Sequence, residues 1–125
     1  MQRRDFFRQP IPASISAQCY VPTANRSDES AIPIVDISYG GLGLLGIHPD
    51  FELDSGQLLR GCRVELGSLG IIHCDLLIGS QSAVTLKNGI ATVRTSCKFQ
   101  HLTSNAKNLL QRFIFLLEQQ SLNSK

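Results

Sequence analysis

The chain has 125 residues, 42% of them hydrophobic, with 12 basic and 10 acidic side chains and a formal net charge of +2. That length fits one domain with a real core, and a charge so near zero argues against a surface built to grip long polyanions. No apolar run is long enough to span a bilayer, and the cysteines at 19, 62, 74 and 97 lack the C-x-x-C spacing of zinc or thioredoxin-like sites.

Residues 1–12 are polar and proline-marked, and read as a flexible arm carrying Arg3, Arg4 and Arg8 ahead of a barrel domain over 13–125. The double arginine also looks like an export signal. Such a signal needs an apolar stretch behind it, and here Pro10, Pro12 and Pro22 interrupt a segment containing Ser14, Ser16 and Gln18. A cytoplasmic protein is the expectation. From 13 to 21 the chain alternates, with Ile15, Ala17, Cys19 and Val21 against Ser14, Ser16, Gln18 and Tyr20, the period of a half-buried strand. Residues 22–30, with Arg26, form a polar loop.

Further strands are predicted at about 32–38, 42–47, 58–66, 71–79, 82–87 and 90–100. Gly40-Gly41, Pro49-Asp50, Asp54-Ser55-Gly56, Gly67 to Gly70 and Asn88-Gly89 separate them, the last being the strongest hairpin signal. All four cysteines fall on the apolar parity of their strands, so they read as reduced core thiols. Many short, evenly spaced strands imply a mainly β, antiparallel barrel of six to seven strands. Only the tail changes period: Leu109, Leu110, Phe113, Ile114, Leu116 and Leu117 predict a helix over about 104–120, with Ser104 as its cap. Its segment 113–117 is apolar on nearly every side. That fits a helix over a barrel mouth, or a face that pairs with a second copy or another domain.

Several site patterns fail on context. Gly41-Leu42-Gly43-Leu44-Leu45-Gly46 has the spacing of a dinucleotide fingerprint, but Pro49 and Asp50 follow where a helix should open. His48, His73 and His101 are scattered, and His73 and Cys74 project from opposite faces, so no metal site is expected. Ser38 lacks a nucleophile-elbow pattern, and the reading is not an enzyme. The Arg and Asp segments fare better. Asp36 and Ser38 share one strand parity, and a hairpin centred near residue 26 places the preceding arm beside them. A guanidinium donates two hydrogen bonds to a guanine edge or a phosphate, and a carboxylate accepts from guanine N1–H and N2–H. The Gly40 and Gly41 amides suit close approach of a phosphate. A surface arginine cluster beside an Asp-Ser turn is the competing, purely structural interpretation.

Arg4-Asp5-Phe6-Phe7-Arg8 and Asp36-Ile37-Ser38-Tyr39-Gly40-Gly41 resemble the two hallmarks of the PilZ family, R-x-x-x-R and D/N-x-S-x-x-G, receptors for the messenger cyclic di-GMP. Arg94 to Phe99 and the tail helix are similar to the family's last strand and helix, so the resemblance spans essentially the whole chain. It implies a split-barrel-like PilZ β-barrel with a C-terminal helix. More narrowly, the double arginine and Gln111-Arg112-Phe113-Ile114 resemble the PilZ half of flagellar-brake (YcgR-type) proteins, where a second β-domain precedes the arginines. The chain starts two residues before Arg3, so that domain is expected to be absent, naturally or because the chain is a fragment. Ser96 departs from the glycine that many members carry before the final Phe.

The resemblance implies that Arg4 and Arg8 grip guanine edges and phosphates, Asp36 a guanine, and Ser38 with Gly41 the phosphate side. Arg3 implies two stacked, intercalated ligand molecules. The expected partners are cyclic di-GMP and a protein such as a flagellar motor component or a neighbouring domain, with association at the flagellar basal body; neither nucleic acid nor membrane is expected. The alternatives are a ligand-independent PilZ-like interaction module and a small nucleic-acid-binding barrel. The latter is disfavoured by the lack of Trp and by having only Tyr20 and Tyr39 as tyrosines.

Overall fold

The computed structural model describes residues 8–12, 14–22, 29–46 and 56–123; Arg3, Arg4 and Arg26 lie outside this range. Among the described residues the strands are β1 (Gln9–Pro10), β2 (Gln18–Pro22), β3 (Glu29–Ile37), β4 (Gly41–Leu45), β5 (Leu58–Glu65), β6 (Ile71–Thr85) and β7 (Ala91–Gln100). Helix α1 (Ser104–Asn123) follows. The sheet runs β1-β3-β2-β5-β6-β7-β4, and a further β3–β4 pairing closes six of its strands into a barrel with β1 outside. Closure follows from the alternation: Cys62 and Val64 on β5, and Ile72, Cys74, Leu76 and Ile78 on β6, face a common interior. The expected antiparallel barrel with a closing helix is the architecture found.

The hairpin of β2 and β3 is centred as the sequence implies, with Gln18 opposite Pro33 and Pro22 opposite Glu29. Its first half differs. No strand spans 14–17; instead the Ile15 N–H donates to the Pro12 carbonyl at 3.0 Å, closing a turn. Pro12 has no N–H to give a ladder, and the chain uses its carbonyl for that turn. The arm then pairs with the far half of β3, Gln9 opposite Ile37 and Pro10 opposite Asp36. On its other side β3 shifts register against β4 between Ile34 and Asp36. That irregularity moves the inward positions from Ile32 and Ile34 to Ile37, so Val35 does not share the burial of Ile37.

The segments 71–79 and 82–87, expected as two strands, belong to the single 15-residue β6. Gly79 and Ser80 form an irregularity against β7 between Ile78 and Gln81 rather than a turn. Beyond it β6 and β7 run on as an exposed ribbon to the Asn88-Gly89 turn, where Leu86 N–H donates to Ile90 O at 2.9 Å. A third irregularity, in β5 between Leu59 and Cys62, holds Gly61 at φ 71°. Asp75 ties it down: one oxygen accepts the Gly61 N–H at 2.9 Å, and the other meets His101 Nδ1 at 2.7 Å. The Gly61 amide, and then His101, hold the Asp75 carboxyl below its ordinary range.

The cap of α1 is Thr103, not Ser104: Thr103 Oγ1 accepts the Ala106 N–H at 3.1 Å, three residues along as an N-cap requires. Ala106, Leu110, Phe113, Ile114 and Leu117 line its buried face, while Phe115 is 59% and Leu116 38% exposed. A Cβ on Gly67 would lie 3.1 Å from Ile15 and 3.6 Å from Phe113, so the helix sits over the barrel end formed by the 14–17 and 66–70 segments. Phe113→Ala should cost about 3–5 kcal/mol and Phe115→Ala within about 0.5 kcal/mol, read from urea midpoints. Similar losses at the two positions would contradict this packing.

All four cysteines are buried free thiols. Burial pushes Cys74 and Cys97 up from 9.0 to about 12. Cys19 rises too, first through a hydrogen bond with Cys62 and then through burial. The folded chain therefore holds these protons more tightly than the unfolded chain. Their contribution to stability is complete below pH 9.0 and is lost as pH climbs toward about 12. Melting temperature should be insensitive to these thiols up to about pH 9 and fall above it. A flat profile through about pH 11 would refute the burial of these groups as acids.

Candidate functional site

Three residues form a row across neighbouring strands: Asp36 on β3 pairs with Gly43 on β4, which pairs with Ser96 on β7. Strand spacing sets Asp36 and Ser96 about 10 Å apart, a gap that Gly43 leaves open. Arg94 is two residues from Ser96 and so shares its face. Its guanidinium crosses the gap directly above Gly43, where a Cβ would lie 2.7 Å from Nη2 and 2.8 Å from Cζ.

At the far side Arg94 takes both oxygens of Asp36, Nη2 to Oδ1 at 2.7 Å and Nε to Oδ2 at 3.0 Å. This is a bidentate, charge-assisted pair in a partly buried setting, with side-chain exposures of 22% and 19%. Its hydrogen bonds to the Asp36 carboxylate raise the Arg94 pKa further, so the cation is permanent. Arg8, delivered by the chain just before β1, adds Nη1 to Asp36 Oδ1 at 3.4 Å. Ser96 Oγ accepts from Arg94 Nη1 at 3.3 Å and from Arg8 Nη2 at 3.4 Å. Two guanidiniums against one carboxylate leave the cluster net positive. It can take an anion, or a planar group with paired donors and acceptors, while a carboxylate keeps lone pairs beyond those Arg94 uses.

Ser38 lies past the end of β3 and is 2% exposed, so it does not project beside Asp36. Its Oγ accepts the N–H groups of Gly40 at 3.3 Å and Gly41 at 3.2 Å. The Ser38 N–H in turn donates to the Gly41 carbonyl at 2.8 Å. The turn is thus closed on itself, and the two glycine amides are directed to the serine rather than outward. Gly41 also has no room for a side chain, because a Cβ there would fall on the Cys97 carbonyl of β7.

The structure therefore brings Arg8 and Asp36 together and sets the Ser38–Gly41 turn beside them; Arg3 and Arg4 lie outside the described residues. Sequence reasoning missed Arg94 and Ser96 as members of the site. The available signal was register: once β4 pairs with β7, a glycine at 43 between an acid and an Arg-x-Ser on one parity marks a bridged gap. Among the described residues, no group of three or more His, Cys, Asp or Glu could hold a metal ion, and no helix is long and apolar enough to cross a membrane.

A family model described as PilZ domain matches residues 2–116. The flagellar brake protein YcgR of Thiobacillus denitrificans is 35% identical over 120 residues, which are 94% of this chain and 47% of that protein. The same-named protein of Erwinia tasmaniensis is 36% identical over 124 residues, 94% of this chain and 49% of that one. The chain spans about half the length of the curated relatives it matches. Among solved structures, the PilZ domain of YcgR from Escherichia coli with c-di-GMP superposes with a TM-score of 0.77 at 29% identity, covering 98% of this chain and 97% of that chain.

The two glycines of β4 should respond differently to alanine. Gly43→Ala displaces only the movable end of Arg94 and should cost about 1.5–3 kcal/mol, the worth of a hydrogen bond to a charged partner. Gly41→Ala meets backbone and should cost about 3 kcal/mol or more. Equal urea midpoints for the two variants would contradict this assignment.

Proposed function

The chain belongs to the PilZ domain family, and from that premise we propose that it is a cyclic di-GMP receptor that signals to the flagellar motor. The observation that carries this reading is the meeting of Arg8 and Asp36, 28 residues apart, at 3.4 Å. Each belongs to one of the two family signatures, and the fold supplies Arg94 and Ser96 beneath them.

In this reading the arm (residues 1–12) and the barrel domain (13–125) divide the work. Arg3, Arg4 and Arg8 grip phosphates and guanine edges, and Asp36 accepts from a guanine edge. Ser38, Gly40 and Gly41 shape the rim. A phosphate that draws on the two glycine amides has to take them from Ser38 Oγ. Arg94 braces Asp36 from below, so that the carboxylate meets the ligand already oriented. The action is binding and switching, with no chemistry on the ligand.

The relatives named YcgR are flagellar brake proteins, which supports a motility output for this chain in the cytoplasm, at the motor. Phe115 and Leu116, exposed on α1, are the side chains this reading offers to a motor component or a neighbouring domain.

Calorimetric titration with cyclic di-GMP tests the proposal. The wild-type chain should bind two ligand molecules, and Arg8→Ala and Asp36→Ala should each weaken binding at least about tenfold, the loss of about 1.4 kcal/mol or more, with the barrel still folded by circular dichroism. Absence of wild-type binding would sink the receptor reading in favour of a ligand-independent interaction module. One ligand per chain would remove the stacked pair and the role of Arg3 in it.

A further inference from the structure

Ser96 occupies a clearing made by two glycines. Gly43 is its partner on β4, and on the β6 side a Cβ added at Gly79 would lie 3.2 Å from the Ser96 carbonyl and 3.6 Å from its Cβ. Neither glycine puts a side chain beside the hydroxyl, and two guanidiniums reach it. A serine oxygen has two acceptor lone pairs, so Arg94 Nη1 at 3.3 Å and Arg8 Nη2 at 3.4 Å use both. Arg94 turns Nε and Nη2 to Asp36, and Arg8 turns Nη1 to it. Asp36, Arg94, Ser96 and Arg8 therefore close a ring of contacts, three members on barrel strands and one on the chain leading into β1.

The members of this ring are not held equally. Arg94 has a close bidentate grip on Asp36, at 2.7 Å and 3.0 Å, that does not depend on Ser96. Arg8 has two contacts, both at 3.4 Å, one to Asp36 and one to Ser96. Removing the hydroxyl halves the hold on Arg8 and leaves two like charges sharing one carboxylate.

We propose that Ser96 is a positioning residue: its hydroxyl keeps the Arg8 guanidinium over Asp36 before any ligand arrives, and releases it readily because the contact is long. This rests on the receptor reading for its consequence in binding. A receptor whose clamp is already docked loses less of its affinity to undocked conformers, since apparent affinity scales with the competent fraction.

Three variants decide it: Ser96→Ala and Ser96→Gly remove the acceptor, and Ser96→Thr keeps it with a β-branched side chain suited to a strand. The first readout needs no ligand. In the ligand-free chain, nitrogen relaxation of the arginine Nε–H groups should give Arg8 an order close to that of Arg94. That order should fall for Arg8 alone in Ser96→Ala and Ser96→Gly, and return in Ser96→Thr. Unchanged Arg8 order in the alanine and glycine variants overturns the proposal. The second readout is titration with cyclic di-GMP, where Ser96→Ala should lose about threefold to fivefold in affinity and Ser96→Thr should recover it. A loss of Arg8 order with no loss of affinity overturns the role in binding. A wild-type chain that binds no cyclic di-GMP refutes the receptor reading, while the relaxation comparison still decides whether Ser96 holds Arg8.

Discussion

The arrangement at the site depends on the absence of a side chain at position 43. Asp36 and Ser96 stand on strands two apart in the barrel wall, and an arginine can join them only by lying flat across what separates them. Any Cβ at that point would fall within 2.8 Å of the guanidinium carbon of Arg94. With the space free, one cation reaches a carboxylate through two parallel donors and a hydroxyl through a third. The carboxylate then has a fixed plane, and its remaining lone pairs have fixed directions. Recognition of a flat, donor-rich edge needs that orientation in advance, because each donor–acceptor pair falls off steeply with angle.

The same economy governs the turn that follows. Ser38, Gly40 and Gly41 have a sequence that reads as a phosphate cradle, yet they satisfy one another through the buried serine oxygen. Gly41 lets β4 press against the Cys97 carbonyl. A motif residue can therefore be indispensable to the site by shaping the backbone on which the contacting side chains stand. Asp36 sits at the exit of β3, and the turn two residues later is what brings β4, and with it the gap at Gly43, to its side.

Much of this was legible in the chain. The alternation of Ile72, Cys74, Leu76 and Ile78, the Asn88-Gly89 turn, and the shift to helical spacing at Leu110, Phe113 and Leu117 are local patterns, and each identified its element. The approach of Arg8 to Asp36 was also expected, although the pairing that delivers it is β1 with β3 and not a continuation of β2. What was not legible involved partners distant in sequence. Gly79-Ser80 looks like a break, but β7 runs past it and keeps β6 whole. The residue capping α1 is one earlier than its polar neighbour, a choice between Thr103 and Ser104 that periodicity cannot make. Val35 and Ile37 share parity in a regular strand, and only the irregular pairing with β4 separates them. Arg94 and Ser96 carry no motif on their own; they join the site because β7 pairs with β4, which no local pattern states.

Strand β1 gives the molecule a mechanical property. It consists of Gln9 and Pro10, held to β3 by two residue pairs, and α1 packs against it. Arg8 is the next residue toward the amino end, so a pull on its guanidinium is borne by the shortest strand in the sheet. The barrel wall is a closed hoop and resists such a load; β1 is a tab glued to its rim. Force applied at the charged end of the tab reaches the helix resting on it without first deforming the hoop.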